Sequence, residues 1–282
     1  MKKIFRVMCI LLIALGVIIN FFDSSEESTS TINSVPVDEF SIEDFDTSDT
    51  LGWEVATTHH RVWKDADASK RRLQFSFTPA MSDEAFYHRD TMLIDEGENE
   101  KIFWRNFYFG LYDHNKESLN PLKDSIISMG VTDNISAPDL IYTAVSMIQD
   151  IPYNYILSTD SCFTHTDYPC VPLQRYGILS PVEFLYSLSG DCDTRTVTLF
   201  TLLKNLGFDP IIVNSYQYRH SMLAVDVPTG GDFIMHKGRK FYFWETTATG
   251  WMPGMLPPDM PNTNYWTIIL DYEFEADPTR NY

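Results

Sequence analysis

Cys192 stands two residues after Gly190 in the stretch LSGDCDTRTVTLFTLLKNLG, where the spacing predicts the first turn of an amphipathic helix. The attacking form of cysteine is the thiolate. The unpaired N–H groups and the dipole at a helix start stabilise negative sulfur. Gly190 allows a tight turn and close approach by a substrate chain. Asp191 and Asp193 act the other way, because neighbouring negative charge raises a thiol pKa. A nucleophilic Cys192 therefore needs a positive partner, and imidazole is the usual one.

His220 meets that need. It opens the strand-like stretch HSMLAVDV, 28 residues after Cys192. The next such stretch, KFYFWETT, carries Glu245 near its far end. If the two pair as a hairpin with its loop at 228–237, residue 227 faces 238 and His220 faces Glu245. Facing residues in an antiparallel pair lie roughly 5 Å apart between Cβ atoms, close enough for a carboxylate to orient an imidazole. A slip of one residue brings Trp244 or Thr246 opposite His220 instead. His236 and His165 compete for the role of base, and Asp226 is the alternative acid. A plainer reading competes with all of this: a helix-start cysteine is also a small apolar residue suited to a core.

These residues depend on the elements around them. LGWEVATTHHRVWKD and RRLQFSFTPA alternate apolar and polar residues around ADASK, which predicts a β-hairpin. His59 and His60 are adjacent on a strand and so point to opposite faces, which makes a shared metal unfavourable. EKIFWRNFYFGLYDHN and PLKDSIISMG have helical spacing, the second stopped by Gly130. SAPDLIYTAVSMIQDIPY has a Ser136 cap and an early Pro138, with Ile141, Ala144, Val145 and Ile148 on one face. SPVEFLYSL predicts a short helix started by Ser180 and Pro181. The Cys192 helix aligns Val197, Phe200 and Leu203 beside Leu199, Leu202 and Leu206, and stops at Gly207. Strands PIIVNSY, HSMLAVDV, KFYFWETT and YWTIILDYEF follow, so the fold class is α+β. Trp53, Trp63, Trp104 and Tyr108 are assigned to the core.

The chain has 282 residues and is 44% hydrophobic, enough for a substantial core. Its net charge of −18 excludes a nucleic-acid partner, which would need basic side chains. Residues 23–50 carry nine carboxylates and no Lys or Arg, the composition of a disordered acidic linker. Before it, Lys2, Lys3 and Arg6 precede an apolar run from Val7 to Phe22 broken only by Asn20. That is a signal anchor or signal peptide over 1–22. Basic residues stay inside, which would put the rest of the chain outside the cytoplasm, tethered to a membrane or secreted if the segment is cleaved. In such a compartment Cys162 and Cys170 are natural disulfide partners. A zinc site drawing on His165 is the other reading of that loop. If the disulfide forms, Cys192 is the leftover thiol, since Cys9 lies in the apolar run. The organisation expected is 1–22 signal, 23–50 linker, 51–130 accessory N-terminal lobe and 131–282 core domain, with no cofactor and no metal.

In order and spacing, roughly residues 140–255 resemble the transglutaminase-like superfamily, in particular its bacterial cysteine-peptidase branch. The resemblance rests on Pro181 and Glu183 in a short helix, GDC at 190–192, LLKNLG at 202–207, His220, and FWETT at 243–247. IQDIPYNY at 148–155 is similar to the family's Val-Gln-x-Ile-x-Tyr stretch. The resemblance implies a papain-like core, its catalytic helix packed on an antiparallel sheet, beside a small N-terminal hairpin and helices. It also implies acyl chemistry on protein or peptide amides through a thioester. Cys192 would attack, His220 would serve as base and then acid, and Glu245, where the family has Asp, would hold His220. Gln149 and Tyr153 are the oxyanion candidates. The expected function is a membrane-tethered extracytoplasmic cysteine hydrolase. A protein-crosslinking transglutaminase and a catalytically inert binding module are the alternatives.

Overall fold

The structure, a computed structural model, describes residues 55–93, 99–162 and 169–274. The expected signal segment and acidic linker, Trp53 and His165 lie outside the described residues. Among the described residues no helix is long and apolar enough to cross a membrane.

The alternating stretches form β1 (Thr57–Lys64) and β2 (Lys70–Phe77), an antiparallel pair. His59 is half-buried and bonds the Tyr186 carbonyl at 2.9 Å, while His60 is exposed, as opposite faces require. Trp63 is buried, and its indole N–H donates to Ser146. Next comes α1 (Pro79–Thr91), capped by Thr78, which the sequence reading missed. Its buried residues are Ala85 and Arg89, so it has no apolar stripe to betray it. Arg89 is fully buried and grips Glu183 with two bonds of 2.8 and 2.9 Å.

Helices α2 (Glu100–Asn115), α3 (Asn120–Thr132) and α4 (Ala137–Gln149) follow. Ser136 caps α4 as expected. Gly130 does not stop α3. It sits inside the helix, where a Cβ would meet the Leu140 side chain at 2.6 Å, so it serves close packing against α4. The chain turns off after Thr132 through Asn134, whose φ is 54°. A two-residue parallel ladder joins β3 (Tyr155–Ile156) to β4 (Cys170–Val171). Beside it Cys162 and Cys170 form a disulfide with Cα atoms 5.9 Å apart.

In α5 (Pro181–Ser187) Ser180 and Glu183 form a reciprocal capping box. The next helix, α6 (Cys192–Asn205), departs from the amphipathic expectation, since it is buried on nearly every side. Its threonines are satisfied internally. Thr198 and Thr201 bond carbonyls one turn back, Thr196 bonds the Ser221 carbonyl, and Thr194 accepts from the Leu179 N–H. Burying Leu199, Phe200, Leu202 and Leu203 contributes about 1.5–3 kcal/mol each.

The sheet comprises β5 (Pro210–Ser215), β6 (His220–Val225), β7 (Phe233–His236), β8 (Arg239–Trp244) and β9 (Thr267–Leu270), in the order β7-β8-β6-β5-β9 and antiparallel throughout. Ile212, Leu223, Val225 and Trp244 join the core shared with the helices, while Ile211, Met222, Phe241 and Phe243 pack with Trp266 and Tyr272 in a second cluster. The molecule is thus α+β. The expected accessory lobe is not separate: Trp63, Phe75, Phe107 and Leu122 share one core with Leu203 and Leu270. Residues from 52 onward form one unit, with the boundary beside the end of the acidic stretch.

The register of β6 on β8 also corrects the expectation. Leu223 faces Trp244 and Val225 faces Tyr242, two residues away from the hairpin that would set His220 against Glu245. The connection is not a plain loop, because β7 leaves β6 and returns to pair with β8. A shift of two preserves the side-chain face.

Candidate functional site

Asp191 caps α6 and accepts from the Thr194 N–H, which puts Cys192 at the first helical position. A Cβ on Gly190 would meet Phe184 at 2.6 Å and Thr194 at 2.8 Å. Packing within the chain therefore requires the glycine, a reason that the sequence analysis did not name. Cys192 is buried, and its sulfur faces the backbone N–H of Ser221, the residue after His220. Burial, then Asp193, then Asp191 push its thiol well above the usual range, and the Ser221 N–H pulls it back only in part. These surroundings favour a neutral thiol at Cys192, where the sequence analysis looked for a thiolate.

His220 bonds Glu245 at 2.8 Å, Nε2 to Oε2. Glu245 lies just past the end of β8, so the contact comes from the strand's exit and not from facing residues in the ladder. Its other oxygen accepts from the Thr246 N–H, the Thr247 N–H and the Thr247 hydroxyl. The extra methylene relative to Asp lets one oxygen anchor to the turn while the other reaches the imidazole. Burial pushes Glu245 upward, but the bonds from His220 and Thr247 outweigh it and leave the acid below its ordinary value. An ionised carboxylate only accepts, so Nε2 carries the proton. Nδ1 has no hydrogen bond among the described residues.

Tyr153 lies at the helix mouth. Its hydroxyl meets the Cys192 N–H, and burial raises its pKa. Its ring makes an edge contact with Tyr155 at 5.4 Å. Gln149, the other oxyanion candidate, is turned elsewhere: it donates to the Glu245 carbonyl at 2.6 Å and the Trp251 carbonyl at 3.1 Å. With its amide protons spent on main chain, it holds the Glu245 turn and does not face the sulfur.

Arg195 was missed. It is fully buried one turn below Cys192, and all five of its N–H groups point at main-chain carbonyls. Nε donates to Gly190, one terminal nitrogen to Ile148 and Thr246, the other to Ile151 and Pro152. Three segments are tied in this way: the end of α4, the start of α6 and the exit of β8. Desolvation lowers its pKa to about 10, which leaves it charged at neutral pH. The available signal was its position three residues after Cys192, on the same helix face.

A buried polar network adjoins the sulfur. Asp193 accepts from the Tyr108 hydroxyl at 2.5 Å and from the Ser221 hydroxyl, and the Cys192 thiol lies 3.8 Å from its other oxygen. Asn214 donates to Tyr108, and its side-chain oxygen lies 2.9 Å from the Ser221 hydroxyl oxygen. Tyr108 is buried as expected, but its hydroxyl carries α2 into the site. Burial also forces Asp191 to hold its proton, raising its pKa to about 8, with Asp193 adding repulsion. A cleft of about 460 Å³ opens beside this network, lined by His220, Asp193, Asn214, Arg219, Lys101 and Trp104. Cys192 lines neither this cleft nor the hollows of about 680 and 770 Å³ elsewhere, which also lack His220.

The remaining candidates have other partners. His236 bonds Asp271 at 3.1 Å, on the strand at the sheet's edge. Asp226 is paired with Arg239. Among the described residues no group of three or more His, Cys, Asp or Glu is arranged to hold a metal ion. No family model, curated protein or solved structure matches the chain.

Proposed function

We propose that the chain is a cysteine hydrolase with a papain-like, transglutaminase-like core, acting on protein or peptide amides through Cys192, His220 and Glu245. The observation that carries this reading is the His220–Glu245 bond of 2.8 Å at the head of the strand whose next N–H faces the Cys192 sulfur. With Nε2 held protonated by the carboxylate, Nδ1 is the free base. As the sulfur attacks the carbonyl carbon, the thiol proton passes to Nδ1 and the imidazolium is steadied by Glu245. The oxyanion is met at the α6 mouth by the Tyr153 hydroxyl, whose oxygen the Cys192 N–H orients, a contribution of about 10²–10³ in rate for one such donor. His220 then gives its proton to the leaving amine, and water, activated by the same imidazole, releases the acid and restores the thiol. Transfer of the thioester to an amine uses the same groups, so crosslinking differs only in which nucleophile reaches the acyl-enzyme. The apolar run from Val7 to Phe22 supports a tether that holds the domain outside the cytoplasm.

One observation favours an inert binding module: the sulfur is buried between two carboxylates that oppose its ionisation. Alkylation separates the readings. Iodoacetamide labelling of Cys192, followed by mass spectrometry between pH 5 and 8, is expected to slow at least tenfold in His220→Ala. Equal labelling rates in the two proteins would dispose of the enzyme.

A further inference from the structure

Buried arginines normally face a carboxylate or a phosphate. Arg195 faces neither; its fork is filled by carbonyl oxygens of Gly190, Ile148, Thr246, Ile151 and Pro152, at 2.7 to 3.4 Å. Each carbonyl takes up part of the desolvation cost, but none cancels the charge. The guanidinium also lies over the Tyr153 ring at 5.6 Å and the Phe184 ring at 5.7 Å. A full positive charge is thereby stored within one helical turn of the sulfur. The carbonyls belong to the segments that carry Tyr153, Cys192 and Glu245, so one side chain sets the spacing of the oxyanion donor, the nucleophile and the acid.

We propose that Arg195 is the positioning residue of this site, fixing those three segments and supplying the standing positive charge against which Cys192 ionises. The inference rests on the cysteine-hydrolase reading. The charged and titratable groups acting on the sulfur are Asp191 and Asp193 from its own helix, Tyr153 from the segment after α4 and Glu245 from the exit of β8, and Glu245 in turn holds His220 of β6. Tyr108 of α2 reaches the sulfur through Asp193. Every acid in that set, once ionised, opposes a thiolate. Arg195 carries its positive charge at neutral pH. Arg195 thus offsets the carboxylates in the resting state, before any proton moves.

The test uses the full chain. The pH midpoint of Cys192 alkylation is expected to rise by at least one unit in Arg195→Met and to stay within half a unit of the parent in Arg195→Lys, which keeps the charge. A folded Arg195→Met with an unmoved midpoint overturns the proposal. Should the Met variant fail to fold, the parent protein decides by NMR. The Arg195 Nε–H resonance is expected to shift as Cys192 ionises, and that shift is expected to vanish in Cys192→Ser. A resonance that ignores Cys192 overturns the proposal equally. The His220→Ala labelling rate is read separately, so loss of the hydrolase reading and loss of the Arg195 assignment give different results.

Discussion

Asp191 combines two duties that pull against each other. As the cap of α6 its carboxyl accepts from the Thr194 N–H, yet burial raises its pKa to about 8. An unfolded Asp titrates near 3.9. Between those values the folded chain binds a proton that the unfolded chain has lost, so this group's contribution to stability declines as pH rises through the window and is gone above the folded value. Asn caps a helix about as well as Asp and does not titrate. Urea midpoints of the parent are therefore expected to fall more steeply from pH 5 to 8 than those of Asp191→Asn. Parallel curves would contradict the assignment. Cys192, His220 and Glu245 could be singled out as candidates in the sequence because residue type and order limited the choices. Arg195 could not, because its partners are carbonyls, which every residue has. Gln149 was misread for a related reason: its type fitted the oxyanion role, but its direction is set by the Glu245 and Trp251 main chain.

Local signals made most elements legible. Ser136 and Ser180 marked helix starts because a capping hydroxyl works within three residues of itself. The β6–β8 register was not legible, since nothing local announces that β7 will leave and return between them. Nor was α1, whose buried face is Ala85 and Arg89. That helix matters more than its polarity suggests. Arg89 is wholly buried against Glu183, and Glu183 closes the α5 capping box by accepting from the Ser180 N–H. Arg89→Met would leave that carboxylate buried without its cation, a loss of about 3–5 kcal/mol. Urea unfolding should reveal it as a lowered midpoint at unchanged slope. A loss under 1 kcal/mol would mean the pair is replaceable by packing.

At the scale of the molecule, the sequence reading divided what the structure unites. Composition drew a boundary near residue 51, because charge and hydropathy both shift there. It offered no sign that 51–130 belongs with the rest, because a shared core is written in contacts and not in composition. Tyr108 of α2 bonds Asp193 of α6, and β1 carries Arg61 to Asp150 after α4. Thermal unfolding of residues 52–282 is accordingly expected as a single calorimetric transition, and residues 131–282 alone are expected to lack one. Two separable transitions would restore the independent lobe. The β3–β4 ladder, finally, is two residues long, too brief to persist on backbone bonds alone; the covalent link at Cys170 secures it. Tyr155 in that ladder supports the Tyr153 ring at the α6 mouth. A reductant that opens this bridge is thus expected to loosen the support of the Tyr153 ring while leaving the Cys192 thiol as it was.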